Sequence, residues 1–126
     1  MIDALFSQPN YLAAKKMLDV TVLRQDAIAS NLANIETPNY KRVDVSASFE
    51  AQLKQAVNTQ DVSKLSDLQP TLSVDTSAIS GRGDGNTVSM ESELLKLNQN
   101  TVEDAMETQL ISGTLAKMRL AITGKG

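Results

Sequence analysis

Hydrophobic residues recur at helical spacing in two long stretches, one near each end of the chain, and lose that spacing in between. From about residue 11 to 35, Ala14, Leu18, Thr21, Gln25, Ile28, Leu32 and Ile35 follow steps of four and three, so they share one helix face. Val22 and Ala29 widen that stripe, while Met17, Val20 and Ala27 form a second apolar row on an adjoining face. A helix apolar on two faces expects more than one neighbour. Ahead of it, residues 1–10 make a short lead with Leu5 and Phe6 as apolar anchors and Pro9 placed to open the helix.

The second stretch opens at Ser89, a good N-cap, with Glu91 and Glu93 in a first turn where carboxylates favour the helix dipole. It runs to about residue 122 and ends in Thr123-Gly124-Lys125-Gly126. Met90, Leu94, Leu97, Ile111, Leu115, Met118 and Ile122 keep one register, interrupted at its centre by Thr101, Asp104 and Thr108. Leu95, Val102, Met106, Leu110 and Leu120 lie on another face. At 1.5 Å per residue a helix of roughly 33 residues is about 50 Å long, more than a compact domain of this size requires.

Between these helices, residues 43–88 change character. Phe49, Leu53 and Val57 are spaced for a helix of two or three turns, and Leu72, Val74 and Ile79 for short strands. After Asn58 the chain is rich in Ser, Asp, Thr and Gln, a composition that rarely buries enough apolar surface to offset ordering. Gly81-Arg82-Gly83-Asp84-Gly85 reads as a flexible turn. The pattern therefore predicts an all-α fold: long N- and C-terminal helices paired as an extended, coiled-coil-like hairpin, with a mostly irregular polar middle. Its segments, 1–42, 43–88 and 89–126, form one axial helical domain. Two paired helices leave their second stripes facing water, and such strips mark an interaction surface. Neighbouring copies would cover them, and a head-to-tail contact whose rotation does not close builds a helical tube.

Composition narrows the chemistry. A chain of 126 residues is enough for one domain. A formal charge of −3, with no basic patch, argues against nucleic acid and anionic membranes as partners. There is no cysteine and no histidine, which removes thiol chemistry, the commonest general base and the commonest metal ligand together. Aromatics make up 3%, too few for base-stacking platforms. The first residues lack a basic n-region and an unbroken apolar core, and no apolar run approaches the roughly 20 residues of a membrane span. By composition the chain reads as cytoplasmic.

No constellation carries chemistry. The glycines of residues 81–85 lack the following lysine of a phosphate loop, and Arg82-Gly83-Asp84 is a chance triplet. Glu103, Asp104 and Glu107 read as a solvated face rather than a metal site. Ser112 beside Gly113 has neither base nor oxyanion hole, so Gly113 reads as a place of close helix packing. No catalytic residue, metal ligand or cofactor is expected.

The most informative stretch closes the first helix: Ser30-Asn31-Leu32-Ala33-Asn34-Ile35-Glu36-Thr37-Pro38-Asn39-Tyr40-Lys41. Thr37 precedes a proline and is pushed toward extended conformations, Pro38 cannot donate to the helical ladder, and Asn39 tolerates positive φ. Asn31 and Asn34 share one face of the last turn, where they can serve the helix end's orphaned groups. This stretch resembles the N-terminal motif of the flagellar rod and hook proteins, with Asn39 where the family usually has glycine. Tyr40-Lys41-Arg42 followed by Phe49 and Leu53 is similar to the proximal rod subunits of the FlgB type. So are Gly85-Asn86-Thr87-Val88-Ser89-Met90-Glu91-Ser92-Glu93 and the closing Leu110-Ile111-Ser112-Gly113, Leu115, Met118-Arg119 and Ala121-Ile122.

The resemblance implies a structural subunit of the proximal rod, the drive shaft that crosses the periplasm. Its partners would be other rod subunits and the adaptor at the rod base, with membrane-ring proteins involved indirectly, and no nucleic acid or small-molecule substrate. It also implies export through the flagellar type III apparatus without a cleaved signal. Asn31, Asn34, Thr37, Pro38 and Tyr40 would fix the turn out of the first helix. Leu18, Ile28 and Leu32, with Leu110, Ile111, Leu115, Met118 and Ile122, are the candidate subunit-interface residues. The competing reading is a secreted helical protein-binding module acting as a soluble monomer or dimer.

Overall fold

The computed structural model describes residues 8–124, so Leu5, Phe6 and the last two residues lie outside the described part. Helix α1, Pro9–Ala33, opens with proline in its first turn, where the missing N–H costs nothing. Helix α4, Met90–Thr123, is capped by the Ser89 side chain, which accepts from the Ser92 N–H, and stops at Gly124 with φ 68°. The two helices run antiparallel. Asn31 faces Glu93 at 3.3 Å, the Asn100 amide donates to Gln25 at 3.2 Å and to the Thr21 carbonyl at 2.8 Å, and the Thr21 hydroxyl lies 3.1 Å from Asp104. This is the helical hairpin that the pattern predicts.

The face α4 turns inward differs from the apolar register. Its buried and half-buried positions fall almost entirely on Glu93, Leu97, Asn100, Asp104, Glu107, Ile111, Thr114 and Met118, in alternating steps of four and three. This row shares Leu97, Asp104, Ile111 and Met118 with the expected seam. In place of Leu94, Thr101, Thr108 and Leu115 it uses the residues one position earlier. The helix has rotated so that Glu93 and Asn100 reach specific partners, leaving leucines outside.

The middle segment holds the expected helix at Phe49, Leu53 and Val57 and the expected strand at Leu72 and Val74, and adds a strand at residues 43–45 and a short helix at residues 62–67 within its otherwise irregular course. Strand β1 (Val43–Val45) leads into α2 (Ala47–Thr59) and α3 (Val62–Asp67). Strand β2 (Leu72–Val74) then returns antiparallel to β1, with Val43 opposite Val74 and Val45 opposite Leu72. Gln60, in the left-handed region at φ 52°, closes α2, and the Asp61 carboxylate caps α3 by accepting from the Lys64 N–H at 3.0 Å. Phe49, Leu53 and Ala56 of α2, Leu65 and Leu68 at α3, and Val45 pack with Val20 of α1 into the main core. Val20 and Ala27 of the second apolar row of α1 are thus covered by their own chain, while Met17 stays exposed. Ile79, expected near a strand, lies outside β2 and is 89% exposed. Among the described residues no helix is long and apolar enough to cross a membrane.

Candidate functional site

The turn after α1 is built as its residues suggest. The Tyr40 N–H returns to the Thr37 carbonyl at 3.3 Å, with Pro38 and then Asn39 at φ 61° between them, the pattern of a type II turn. Asn34 serves the helix end, its amide donating to the Ser30 carbonyl at 2.8 Å, and the Thr37 hydroxyl donates to Asn34 Oδ1 at 3.2 Å. Asn31 does something else. Fully buried, it donates to the Val43 carbonyl and accepts from the Val43 N–H, both at 2.9 Å, as a neighbouring strand would. The Tyr40 hydroxyl donates to Asn31 Oδ1 at 3.2 Å and sits 3.1 Å from the Ser30 hydroxyl. Thr37 and Pro38 stay exposed at the surface.

Residues 80–88, expected in part as a flexible turn, clasp this motif. The Asn39 N–H donates to the Asp84 carbonyl at 2.8 Å, the Lys41 ammonium to the Gly85 carbonyl at 2.7 Å, and the Thr87 N–H to the Tyr40 carbonyl at 3.0 Å. Arg82 reaches the Ile35 carbonyl. The buried Asn86 amide faces the carbonyls of Asn34, Ile35 and Thr37 at 2.9, 3.1 and 2.8 Å, sharing two hydrogens among three acceptors that the helix end leaves orphaned. Gly85 has φ 77°, and a Cβ there would sit 2.5 Å from Asn39 Oδ1.

Beneath the clasp lies a charged hub. Arg42 Nε donates to Glu93 Oε1 at 2.6 Å, and the Glu93 side chain is 0% exposed. The same guanidinium reaches Asp75 and, at 3.3 Å, Asp44. Asp44 in turn accepts from Arg24 at 3.0 Å. Burial would lower the Arg42 pKa, but hydrogen bonds to Glu93 and Asp75 and the nearby carboxylate charges hold it above its ordinary value. Burial would raise the Asp44 carboxyl, yet the bond from Arg24 holds it below the usual carboxylate range. Asp75 is held down first by the Ser77 hydroxyl and then, against some burial, by Arg42. Sequence reading took Glu93 for a first-turn carboxylate and missed the pair. The available signal was that Glu93 lies on the same heptad row as Asn100.

The interface candidates do not form one face. Ile28 and Met118 are enclosed within the chain, which withdraws them from any outer surface, while Leu18, Leu32 and Ile111 are half-buried. Leu110, Leu115 and Ile122 are exposed. Leu110 continues an uncovered row with Leu95, Val102 and Met106, each more exposed than buried. No group of three or more potential metal ligands occurs among the described residues.

Residues 22–41, the second half of α1 and its turn, match the family model described as flagella basal body rod protein. The chain is 35% identical over 115 residues to the flagellar basal body rod protein FlgB of Borrelia hermsii, covering 77% of this chain and 83% of that protein. It is 34% identical over 103 residues to FlgB of Borreliella burgdorferi, covering 68% and 74%. It is 29% identical over 110 residues to FlgB of Bacillus subtilis, covering 81% and 84%.

Proposed function

The chain belongs to the FlgB family of flagellar basal body rod proteins, and from that premise we propose how its fold serves the rod. It is a structural subunit of the basal-body rod and not an enzyme, and the binding-module reading has no support among its relatives. Its position is the proximal rod, within the periplasm, reached through the flagellar export apparatus without a cleaved signal. There α1 and α4 pack against the helices of neighbouring rod subunits and of the adaptor at the rod base. Contact with the membrane rings is indirect. Leu18 and Leu32 of α1 and Leu110, Ile111, Leu115 and Ile122 of α4 supply the seams, joined by Leu95, Val102 and Met106.

The observation that supports this reading is the uncovered apolar row on α4, which the chain's own core leaves to solvent. Torque passes along a subunit only if its helices cannot pivot against one another. The Asn86 clasp and the Arg42–Glu93 pair lock α1 to α4 at the turn end, so the hairpin moves as one lever. Mass spectrometry of purified basal bodies tests the location: the chain present at rod stoichiometry supports it, and a chain found only in soluble fractions sinks it. Val102→Glu with Leu110→Glu tests the surface. Both side chains face water, so each change should alter stability by only about 0.5 kcal/mol, yet incorporation and motility should be lost. Normal motility would remove this row from the interface.

A further inference from the structure

On the side of the hairpin away from the clasp, a groove of about 420 Å³ opens between α1, α2 and α4. Its walls include the apolar Met17, Val20, Leu53 and Val57, and α4 contributes Glu103 and Glu107. Glu107 is poorly served there. One of its carboxylate oxygens is buried without a hydrogen-bond partner, and burial together with the charge of Glu103 pushes its pKa up. Lys54 also lines the groove, but no ion pair joins Glu107 to a cation among the described residues. The site has an apolar floor, and the cations near it leave Glu107 unpaired: Arg24 reaches Glu50 and Glu103, and Lys54 makes no ion pair with Glu107.

The complement lies at the other end of the same helix. Residues 90–107 hold five acids and one lysine, whereas residues 108–126 hold Lys117, Arg119, Lys125 and no acid. The helix dipole favours this polarity only within the first and last turns, so it does not account for Glu103 and Glu107, which lie beyond the first turn. Lys117 and Leu120, three apart, share an exposed face. This end cannot reach its own groove, because Glu107 and Lys117 sit on one continuous helix about 15 Å apart.

We propose that the groove receives the C-terminal end of α4 from a second copy of this chain, Leu120 entering against Leu53 and Val57 while Lys117 pairs with Glu107. The contact is head-to-tail, and repetition passes it from copy to copy around or along the rod. It rests on the rod-subunit reading for its setting and adds a defined socket and plug to it.

Carbodiimide, which joins carboxylates to amines without a spacer, tests the contact in purified basal bodies and in the concentrated purified chain. A cross-linked peptide joining Glu103 or Glu107 to Lys117 is expected, and the single-helix separation makes any such link intermolecular. Its absence from both preparations overturns the proposal, as does a link from Glu107 only to a lysine of a different protein. Charge exchange gives a second readout. Glu107→Lys and Lys117→Glu should each lose incorporation with unchanged circular dichroism, and the double variant should regain it. Failure of the double variant to regain incorporation overturns the pairing. Absence of the chain from basal bodies counts against the rod reading, while the cross-link in the purified chain still decides the groove.

Discussion

Asn31 meets Val43 with both halves of its amide, and Arg42 beside it spreads its guanidinium over Glu93, Asp75 and Asp44. Buried charges of this kind cost much to expose singly and little to replace together. Arg42→Met should lower unfolding free energy in urea by about 3–5 kcal/mol, because Glu93 is left buried without its cation. Arg42→Met with Glu93→Leu should recover most of that loss, and a double variant no better than the single would show that the pair does not behave as a unit. At Gly85, alanine meets both a positive φ and the Asn39 side chain. Gly85→Ala should cost about 1–2 kcal/mol or more. Adding Asn39→Gly should restore the steric part alone, so equal melts for the single and double variants would refute this account. The Asn39 turn was legible because its causes are local: a proline before it and a residue type that accepts positive φ. The Arg42–Glu93 pair, 51 residues apart, has no such local cause.

At the scale of elements, the two terminal helices were legible from period and caps, as were the helix at Phe49, Leu53 and Val57 and the strand at Leu72 and Val74, whereas the helix at residues 62–67 and the packing of the middle were not. Composition averages over residues 58–88, whereas burial depends on where a few side chains fall. Leu65 and Leu68 suffice because α3 sets them against Phe49, Leu53 and Val20. Leu65 is 0% exposed, so Leu65→Ala should destabilise by about 2–5 kcal/mol and open α2 and α3 to hydrogen exchange ahead of α4. Exchange that stays uniform across the chain would instead make the middle and the hairpin one cooperative unit. The inward face of α4 was misplaced for a related reason. Hydrophobic period finds the seam only when the seam is apolar, and here Glu93, Asn100 and Asp104 occupy it because each has a partner on α1, and Glu93 a second in Arg42. The leucines displaced from it became outer surface.

Across the whole molecule the charges pull in two directions, and pH separates them. Composition suggested a cytoplasmic address, but family membership puts this acidic chain in the basal body, so its charges are better read as contacts than as a solubility device. Asp44 and Asp75 are held below their ordinary values, so their contribution is fully present above the unfolded carboxylate pKa of about 4 and is lost as pH falls through their folded values. Glu107 has the opposite sign. Its folded pKa is raised, so below its unfolded value it takes nothing from stability, and it becomes a cost as pH rises through the folded value. The isolated subunit should therefore lose stability below about pH 4, and Asp75→Asn should flatten that loss. Glu107→Gln should stabilise it at pH 7 and leave the acid limb unchanged. Urea midpoints from pH 2 to 7 for the three proteins decide the matter. If Glu107→Gln leaves the midpoint at pH 7 unmoved, the groove carboxylate is already satisfied within the subunit, and a second copy's Lys117 would have no unmet charge to answer.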